Sequence, residues 1–201
     1  KEDAIADLGL IACPGAEELC KLVDSHLVRW AREVGNTDVD TFIIPSDCPR
    51  FQSGDAKGLV KASTRGDDLY IFVDPGNYSV TYQLFGYENH LSPDDHFQNL
   101  MRLIQAVAGR AHRISVIMPS LYGGRQHRRV SRESLDCAFA LQQLRDVGVK
   151  NIITFDAHDP RVMNAVPTMS FDNVMPTYQV LKCLLHHEPD VSFHNDNFMI
   201  V

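Results

Sequence analysis

Short apolar runs alternate with amphipathic stretches along most of the chain. The apolar runs are bounded by turn-forming or charged residues, as is typical of buried strands, and they predict strands at residues 8–12, 41–45, 59–62, 69–73, 114–118 and 151–155. Apolar side chains that recur at helical spacing predict helices at about 19–34, 94–111, 135–147 and 178–186. Because strands and helices alternate, the pattern predicts an α/β fold with a mostly parallel sheet flanked by helices.

Two segments depart from this alternation. Residues 74–93 show no clean period and contain Gly, Asn and aromatic residues, so we expect a long surface loop or excursion there. Residues 188–197 form a polar linker, and the apolar run at 198–201 resembles the start of a further strand. With 201 residues, of which 44% are hydrophobic, the chain is long enough for one large domain with a buried core.

Composition narrows the classes of function. The formal net charge of -7 argues against a general binder of nucleic acid or of anionic membranes. No apolar run approaches the length of a membrane span and no signal peptide is visible, so we expect no membrane partner and a cytoplasmic location. The five cysteines are scattered and include no C-x-x-C pair, which indicates reduced, mostly buried thiols.

The loop after the predicted strand at 114–118 is the first candidate site. Three arginines lie within five residues, next to glycines that let a ligand approach the backbone: Arg125, Arg128 and Arg129. Guanidinium groups bind phosphate oxygens through paired, charge-assisted hydrogen bonds, so the pattern indicates a polyphosphate ligand. The alternative is a solvated basic turn at the surface or at a subunit contact.

The loop after the predicted strand at 151–155 is the second candidate site, and it carries Asp156, His158 and Asp159. Loops that leave the carboxyl ends of parallel strands converge on one crevice, so both loops are expected to face the same ligand. Carboxylates suit Mg²⁺, which also binds substrate phosphates. The alternative is a polar loop in which Asp156 or Asp159 caps a helix. The chain has no Walker A motif and no G-x-S-x-G elbow, which removes the main support for P-loop and α/β-hydrolase functions.

A set of short motifs follows a fixed order along the chain. They are F-Q-S-G-D at 51–55, S-T-R-G-D-D-L-Y-I at 63–71, P-S-L-Y-G-G-R-Q-H-R-R at 119–129, T-F-D-A-H at 154–158 and F-D-N at 171–173. Together they resemble the amino-terminal half of the ribose-phosphate pyrophosphokinase (phosphoribosyl pyrophosphate synthetase) family. The resemblance implies a type I phosphoribosyltransferase-like, Rossmann-like fold. It also implies that 1–201 is a single amino-terminal domain, with 198–201 leading to a missing second domain.

The family transfers the pyrophosphoryl group of ATP to ribose 5-phosphate, which gives phosphoribosyl pyrophosphate and AMP for nucleotide biosynthesis. The resemblance therefore implies ATP and ribose 5-phosphate as substrates and Mg²⁺ as cofactor. It also implies a homo-oligomer in which neighbouring subunits share the adenine site. The family's ribose-phosphate loop lies beyond residue 201, so we expect the parent protein to be an enzyme and this chain alone to be inactive.

Residues that match the family's ATP-binding positions fall in two motifs. The cationic loop would hold the phosphates through Arg125 and Gln126, with Arg128 or Arg129 assisting. The first motif would meet the adenine of ATP bound to a neighbouring subunit, by ring stacking and hydrogen bonds from Phe51, Ser53 and Asp55.

Other matched positions imply metal and regulatory roles. His158 would be catalytic and would touch the ATP phosphates or Mg²⁺, and Asp156 and Asp172 would belong to the metal region. Ser63 and Arg65 match positions that form an inter-subunit regulatory anion site in some family members.

Several residues depart from the family pattern. His127 replaces an Asp, Gly123-Gly124 replaces Tyr-Ala, and Asp159 stands where Ala is usual. Smaller changes affect the first motif, at Ser53 and Asp55, and 76–92 looks like an insertion. These changes leave open a second hypothesis, a non-catalytic synthetase-associated regulatory subunit. A third hypothesis is a nucleotide-binding α/β domain of unrelated activity.

Overall fold

The structure is a computed structural model that describes residues 5–188. Its strands are β1 (Leu8–Ala12), β2 (Ser46–Asp47), β3 (Leu59–Val60), β4 (Asp68–Phe72), β5 (Thr81–Leu84), β6 (Tyr87–His90), β7 (Arg113–Ile117), β8 (Asn151–Phe155) and β9 (Ser170–Val174). Its α-helices are α1 (Glu17–Glu33), α2 (Pro93–Val107), α3 (Asp136–Asp146) and α4 (Thr177–His187), and a 3-10 helix spans Pro160–Ala165. The strand predicted at 198–201 lies outside the described residues.

A five-stranded parallel sheet forms the centre of the fold, in the order β1-β4-β7-β8-β9. Strands β1, β4, β7 and β8 contain short apolar runs because helices cover both faces of this part of the sheet. In β4, Ile71 belongs to one core cluster and Phe72 to the other, and both side chains are fully buried. This sheet confirms the predicted α/β fold, and it places the carboxyl ends of all five strands at one edge.

The helices divide between the two faces. Side chains of α2 and α3 share a large core cluster with β4, β7 and β8, whereas Cys20 of α1 packs with Leu10 and Phe72 in the other cluster. A capping box starts α2: the Ser92 hydroxyl accepts from the Asp95 N–H at 3.2 Å, and the Asp95 carboxylate accepts from the Ser92 N–H at 3.0 Å. None of the described helices is long and apolar enough to cross a membrane.

The cysteines confirm the expectation of mostly buried thiols. All five are free, and four of them are buried, whereas Cys183 is exposed. Burial raises the pKa of the Cys20 thiol to about 12 and that of Cys137 to about 11. The buried thiols therefore act as small core side chains.

Two predicted strands are shorter than expected. At 41–45 only a single parallel bridge forms, in which the Phe42 carbonyl accepts from the Leu10 N–H at 2.9 Å and the Ile44 N–H donates to the Leu10 carbonyl at 2.8 Å. The strand predicted at 59–62 is reduced to β3, which pairs antiparallel with β2 outside the central sheet.

The prediction of an irregular excursion at 74–93 is wrong for its second half. There β5 and β6 form an antiparallel hairpin, joined at Phe85 and Gly86, whose φ angles are 48° and 87°. Two successive positive φ angles characterise the type I′ turn, which matches the twist of a hairpin. Both strands remain largely exposed, so the sequence shows no apolar alternation there.

Strand β9 was also missed, because it lies at the edge of the sheet. Only Phe171 and Asn173 are partly buried, and the other three residues are exposed. An edge strand with so little burial does not need an apolar run, so the sequence pattern did not reveal it.

Replacement of a central core residue should destabilise the fold far more than the same replacement at the surface. Ile71 is 0% exposed and Ile5 is 88% exposed. We expect Ile71→Ala to lower the free energy of unfolding by about 2–5 kcal/mol, because it leaves a cavity in the sheet. Ile5→Ala should change it by less than about 0.5 kcal/mol. Urea unfolding of both variants tests this, and similar losses would contradict the described core.

Candidate functional site

An open cleft of about 620 Å³ lies at the carboxyl ends of β4, β7 and β8. Its walls come from the segments that follow these three strands, mainly Pro75 and Gly76, residues 119–126, and residues 155–158. The cleft thus brings together four of the residues predicted from sequence, which are Arg125, Gln126, Asp156 and His158. Loops from adjacent parallel strands meet here, as expected for such a sheet.

Close contacts hold the cationic loop against the start of α3. Gly123 has a φ of 66°, and a Cβ at this position would lie 3.1 Å from the Cys137 backbone nitrogen. The loop therefore needs glycine at this point. The Gln126 N–H donates to the Gly123 carbonyl at 2.7 Å, and the Gln126 carbonyl accepts from the Cys137 N–H at 3.4 Å. These contacts fix the backbone from which Arg125 reaches the cleft.

Tyr122 ties the same loop to α2, a role that sequence reasoning did not assign. Its hydroxyl donates to the Asp94 carboxylate at 2.7 Å, and its ring stacks on Phe97 with a centroid separation of 4.5 Å. The hydrogen bond to Asp94 is the main reason why the pKa of Tyr122 is raised to about 12. The cationic loop is therefore anchored to both helices on this face of the sheet.

The turn after β8 is held by the edge strand β9. Asp156 has a φ of 46°, which is uncommon for a residue other than glycine. The Asp156 N–H donates to the Val174 carbonyl at 3.0 Å, and the Ala157 N–H donates to the Asn173 side-chain oxygen at 2.9 Å. Asn173 thus positions the turn that carries Asp156 and His158. The F-D-N motif marked this residue, but no role followed from the sequence.

Two departures from the family pattern, His127 and Asp159, contact each other. The His127 Nε2 lies 3.5 Å from the Asp159 Oδ2, and these side chains are only 16% and 12% exposed. The His127 ring also lies 5.2 Å from the His158 ring, between centroids. The contact therefore joins the two loops that form the cleft, just beyond its lining and next to His158.

Arg161 completes this contact. Its guanidinium donates to both carboxylate oxygens of Asp159, at 2.9 Å to Oδ1 and 2.6 Å to Oδ2. These hydrogen bonds hold the pKa of Asp159 well below its usual range. Asp159 also caps the 3-10 helix, because it accepts from the Arg161 N–H at 3.0 Å. The capping role that the sequence left open is therefore confirmed for Asp159.

The structure does not bring every predicted residue to the cleft. Arg128, Arg129 and Asp172 are exposed and are not among the described residues that line it. Arg129 instead borders a separate depression beside α3, with Asp136 and Phe139. Asp172 lies in the middle of β9, opposite Ile153.

The predicted metal ligands do not form a complete site. Within residues 5–188, no group of three or more His, Cys, Asp or Glu side chains could hold a metal ion. Mg²⁺ often uses only one or two carboxylates and takes its other ligands from water and substrate phosphates. Asp156, on the cleft wall, fits that limited role, whereas the His158 ring is better suited to hydrogen bonding with a phosphate.

Two other predicted sites lie away from the cleft. Phe51, Ser53 and Asp55 are exposed residues in the turn between β2 and β3, outside the cleft lining. Ser63 and Arg65 are exposed residues just before β4, and hence at the opposite edge of the sheet.

A smaller depression of about 160 Å³ lies at the carboxyl end of β1 and includes Glu17, Lys21 and Asp47. It has more carboxylates than cations, so the larger cleft is the better candidate for an anion.

Replacement of His127 by Asp, the residue usual in the family, should lower the thermal stability of this chain. His127→Asp would place a carboxylate against Asp159, and like charges repel. We expect a lower melting temperature, and we expect the loss to be smaller when Asp159→Asn is already present. A double-mutant cycle followed by thermal unfolding measures this coupling. Equal losses in both backgrounds would show that the contact has no energetic consequence.

Comparison with known proteins shows the family of this chain. Residues 8–148 match the family described as the N-terminal domain of ribose phosphate pyrophosphokinase. The chain is 26% identical over 144 residues to ribose-phosphate pyrophosphokinase 1 of Candida albicans, a match that covers 71% of this chain and 41% of that protein.

A solved structure supports the same fold. The crystal structure of phosphoribosylpyrophosphate synthetase from Mycobacterium smegmatis superposes with a TM-score of 0.69 at 19% identity, over 92% of this chain and 53% of that one. The chain thus spans about half the length of these relatives or less. Since the family match covers more than half of the chain, the chain belongs to the family of the N-terminal domain of ribose phosphate pyrophosphokinase.

Proposed function

We propose that the cleft binds the phosphates of Mg-ATP, and that the whole protein transfers the pyrophosphoryl group to ribose 5-phosphate. The observation that carries this proposal is the cleft itself, in which Arg125 and Gln126 lie on one wall and Asp156 and His158 on the other. No described ion pair within 4.0 Å involves Arg125, so its charge is available to a ligand. The product would supply nucleotide biosynthesis.

The reaction needs positioning and charge neutralisation more than a protein nucleophile. The anomeric hydroxyl oxygen of the sugar forms a bond to the β-phosphorus, the bond from that phosphorus to the α,β-bridging oxygen breaks, and AMP leaves. Arg125 would bind phosphate oxygens through its fork of N–H donors, with the Gln126 amide beside it. His158 would donate a hydrogen bond to a phosphate from the opposite wall.

Magnesium, when bound, would neutralise phosphate charge, and Asp156 would supply the carboxylate that binds the metal.

Arg128 and Arg129 would assist in phosphate binding from the part of the loop that continues beyond the cleft lining. Asp172 would have to act from the edge strand, through water or after movement of the turn. Asn173 would keep Asp156 in place.

The base of ATP would contact a second copy of the chain in a cytoplasmic homo-oligomer. The turn with Phe51, Ser53 and Asp55 lies outside the cleft of its own chain, which supports such an arrangement.

Ser63 and Arg65 lie at the opposite edge of the sheet from the cleft, so an anion bound there would act as an effector and not as a substrate.

The contact between His127 and Asp159 favours an active enzyme over the non-catalytic regulatory subunit. If the loop had lost its function, the substitutions at positions 127 and 159 would not be expected to complement each other. Instead the basic ring at 127 meets the extra carboxylate at 159, and the glycine at 123 fits closely against α3.

Single substitutions on the two walls should both weaken binding of Mg-ATP. We expect Arg125→Ala and His158→Ala to lower the affinity by about tenfold or more, because each removes a hydrogen bond to a charged group. Arg29→Ala is the matched control, since it removes one exposed positive charge from α1, away from the cleft. Isothermal titration calorimetry measures all four affinities. Equal affinities in the parent chain and in the two cleft variants would refute the proposed site.

A further inference from the structure

We propose that Arg50 and the hairpin β5–β6 form a brace that holds the turn at 51–55 as a preformed contact surface for a purine base. The base would belong to a nucleotide bound in the cleft of a second copy of this chain. This inference rests on the proposed function and adds to it a positioning residue and a role for the segment that looked like an insertion.

The turn presents chemistry suited to a base. Phe51 is 55% exposed, although its backbone is fixed: its N–H donates to the Asp55 carbonyl at 2.8 Å and its carbonyl accepts from the Gly54 N–H at 2.9 Å. The Ser53 hydroxyl donates to the Asp55 carboxylate at 2.8 Å. An exposed phenyl ring can stack on a base, and the adjacent carboxylate can accept from an exocyclic amino group.

Arg50 connects this turn to the body of the protein. One terminal nitrogen of its guanidinium donates to the Gly54 carbonyl at 2.7 Å, and the other donates to the Asp95 carboxylate at 2.9 Å. The guanidinium carbon lies 4.2 Å from the centre of the Tyr82 ring. The Arg50 side chain is only 11% exposed. The Arg50 guanidinium, which is largely shielded from solvent, therefore joins the turn, the hairpin and the first turn of α2.

The hairpin also contacts the turn directly. The Phe85 N–H donates to the Gln52 carbonyl at 3.1 Å. Gly54 has a φ of 90°, and a Cβ there would lie 2.8 Å from the Leu84 side chain. Most of the hairpin is exposed to solvent, and it lies outside the central sheet. Its contacts with the turn and with Arg50 therefore support the turn and not the central core. A turn held in this way loses little conformational entropy on binding.

Comparison of two ligands separates base contact from phosphate contact. Mg-ATP carries a base, whereas magnesium tripolyphosphate offers only phosphates to the Arg125 wall. The brace is tested with Arg50→Ala, with Tyr82→Leu, and with replacement of residues 81–90 by Gly-Gly. The replacement is geometrically mild because the Leu91 N–H already donates to the Val80 carbonyl at 2.9 Å.

We expect each brace variant to bind Mg-ATP about tenfold more weakly and to bind tripolyphosphate as the parent chain does. Unchanged tripolyphosphate affinity shows that the cleft has folded. The control Arg113→Ala removes another Arg–Asp pair, with Asp68 at the amino ends of β7 and β4, and should leave the ratio of the two affinities unchanged.

Three outcomes would overturn the inference. In the first, the affinity for Mg-ATP is unchanged in all brace variants; in the second, all of them lose affinity for Mg-ATP and for tripolyphosphate equally. In the third, the parent chain does not bind Mg-ATP more tightly than tripolyphosphate. Failure of the parent chain to bind either ligand would instead refute the proposed function.

A mixture of two variants tests whether the turn of one chain contacts the nucleotide bound to a second copy. Arg50→Ala chains keep an intact cleft, and Arg125→Ala chains keep an intact turn. A mixture should therefore recover part of the ATP affinity that each variant lacks alone, and no recovery would rule out contact between copies.

Discussion

Parallel pairing of β7 with β8 is the interaction on which the candidate site depends. Residues 115–117 pair in register with 151–153, and the Met118 N–H extends the ladder to the Ile153 carbonyl at 2.9 Å. Because the strands run in the same direction, the cationic loop and the turn with Asp156 and His158 leave the sheet side by side. A shift of this register would separate the two walls of the cleft.

The loops themselves are held by contacts of a different kind. Tyr122 and Gly123 fix the cationic loop to α2 and α3, and Asn173 fixes the opposite turn to β9. The contact between His127 and Asp159 then joins the two loops just beyond the cleft lining. The two departures from the family pattern therefore complement each other in this chain, since the carboxylate at 159 lies next to an imidazole at 127.

The sequence allowed prediction of the elements that bury a continuous apolar run. Strands at 8–12, 69–73, 114–118 and 151–155 and helices α1, α2 and α3 were found because their side chains enter the core. Helix α4 has no buried residue and was found from the helical spacing of its apolar side chains. The hairpin and β9 were missed because both remain largely exposed, so that backbone pairing alone defines them.

For the site, residue type and position after a strand placed Arg125, Asp156 and His158 at the cleft, whereas Gln126 was selected only through the resemblance to the family. The path of the loop beyond Gln126 depends on contacts with α3 and with Asp159, which lie far apart in the sequence. For that reason the sequence could not separate Arg125 from Arg128 and Arg129, nor place Asp172 on the far strand. The support given to the turn at 51–55 by Arg50 was hidden for the same reason.

A chemical-shift titration of the isotope-labelled chain tests the central claim most directly. The ligand is the magnesium complex of a non-hydrolysable ATP analogue. The amides of Gln126, Ala157 and His158, on both walls, should shift together with one dissociation constant, while those of Ser63 and Arg65 stay in place. Shifts confined to the small depression near Glu17, or shifts on one wall only, would contradict the account.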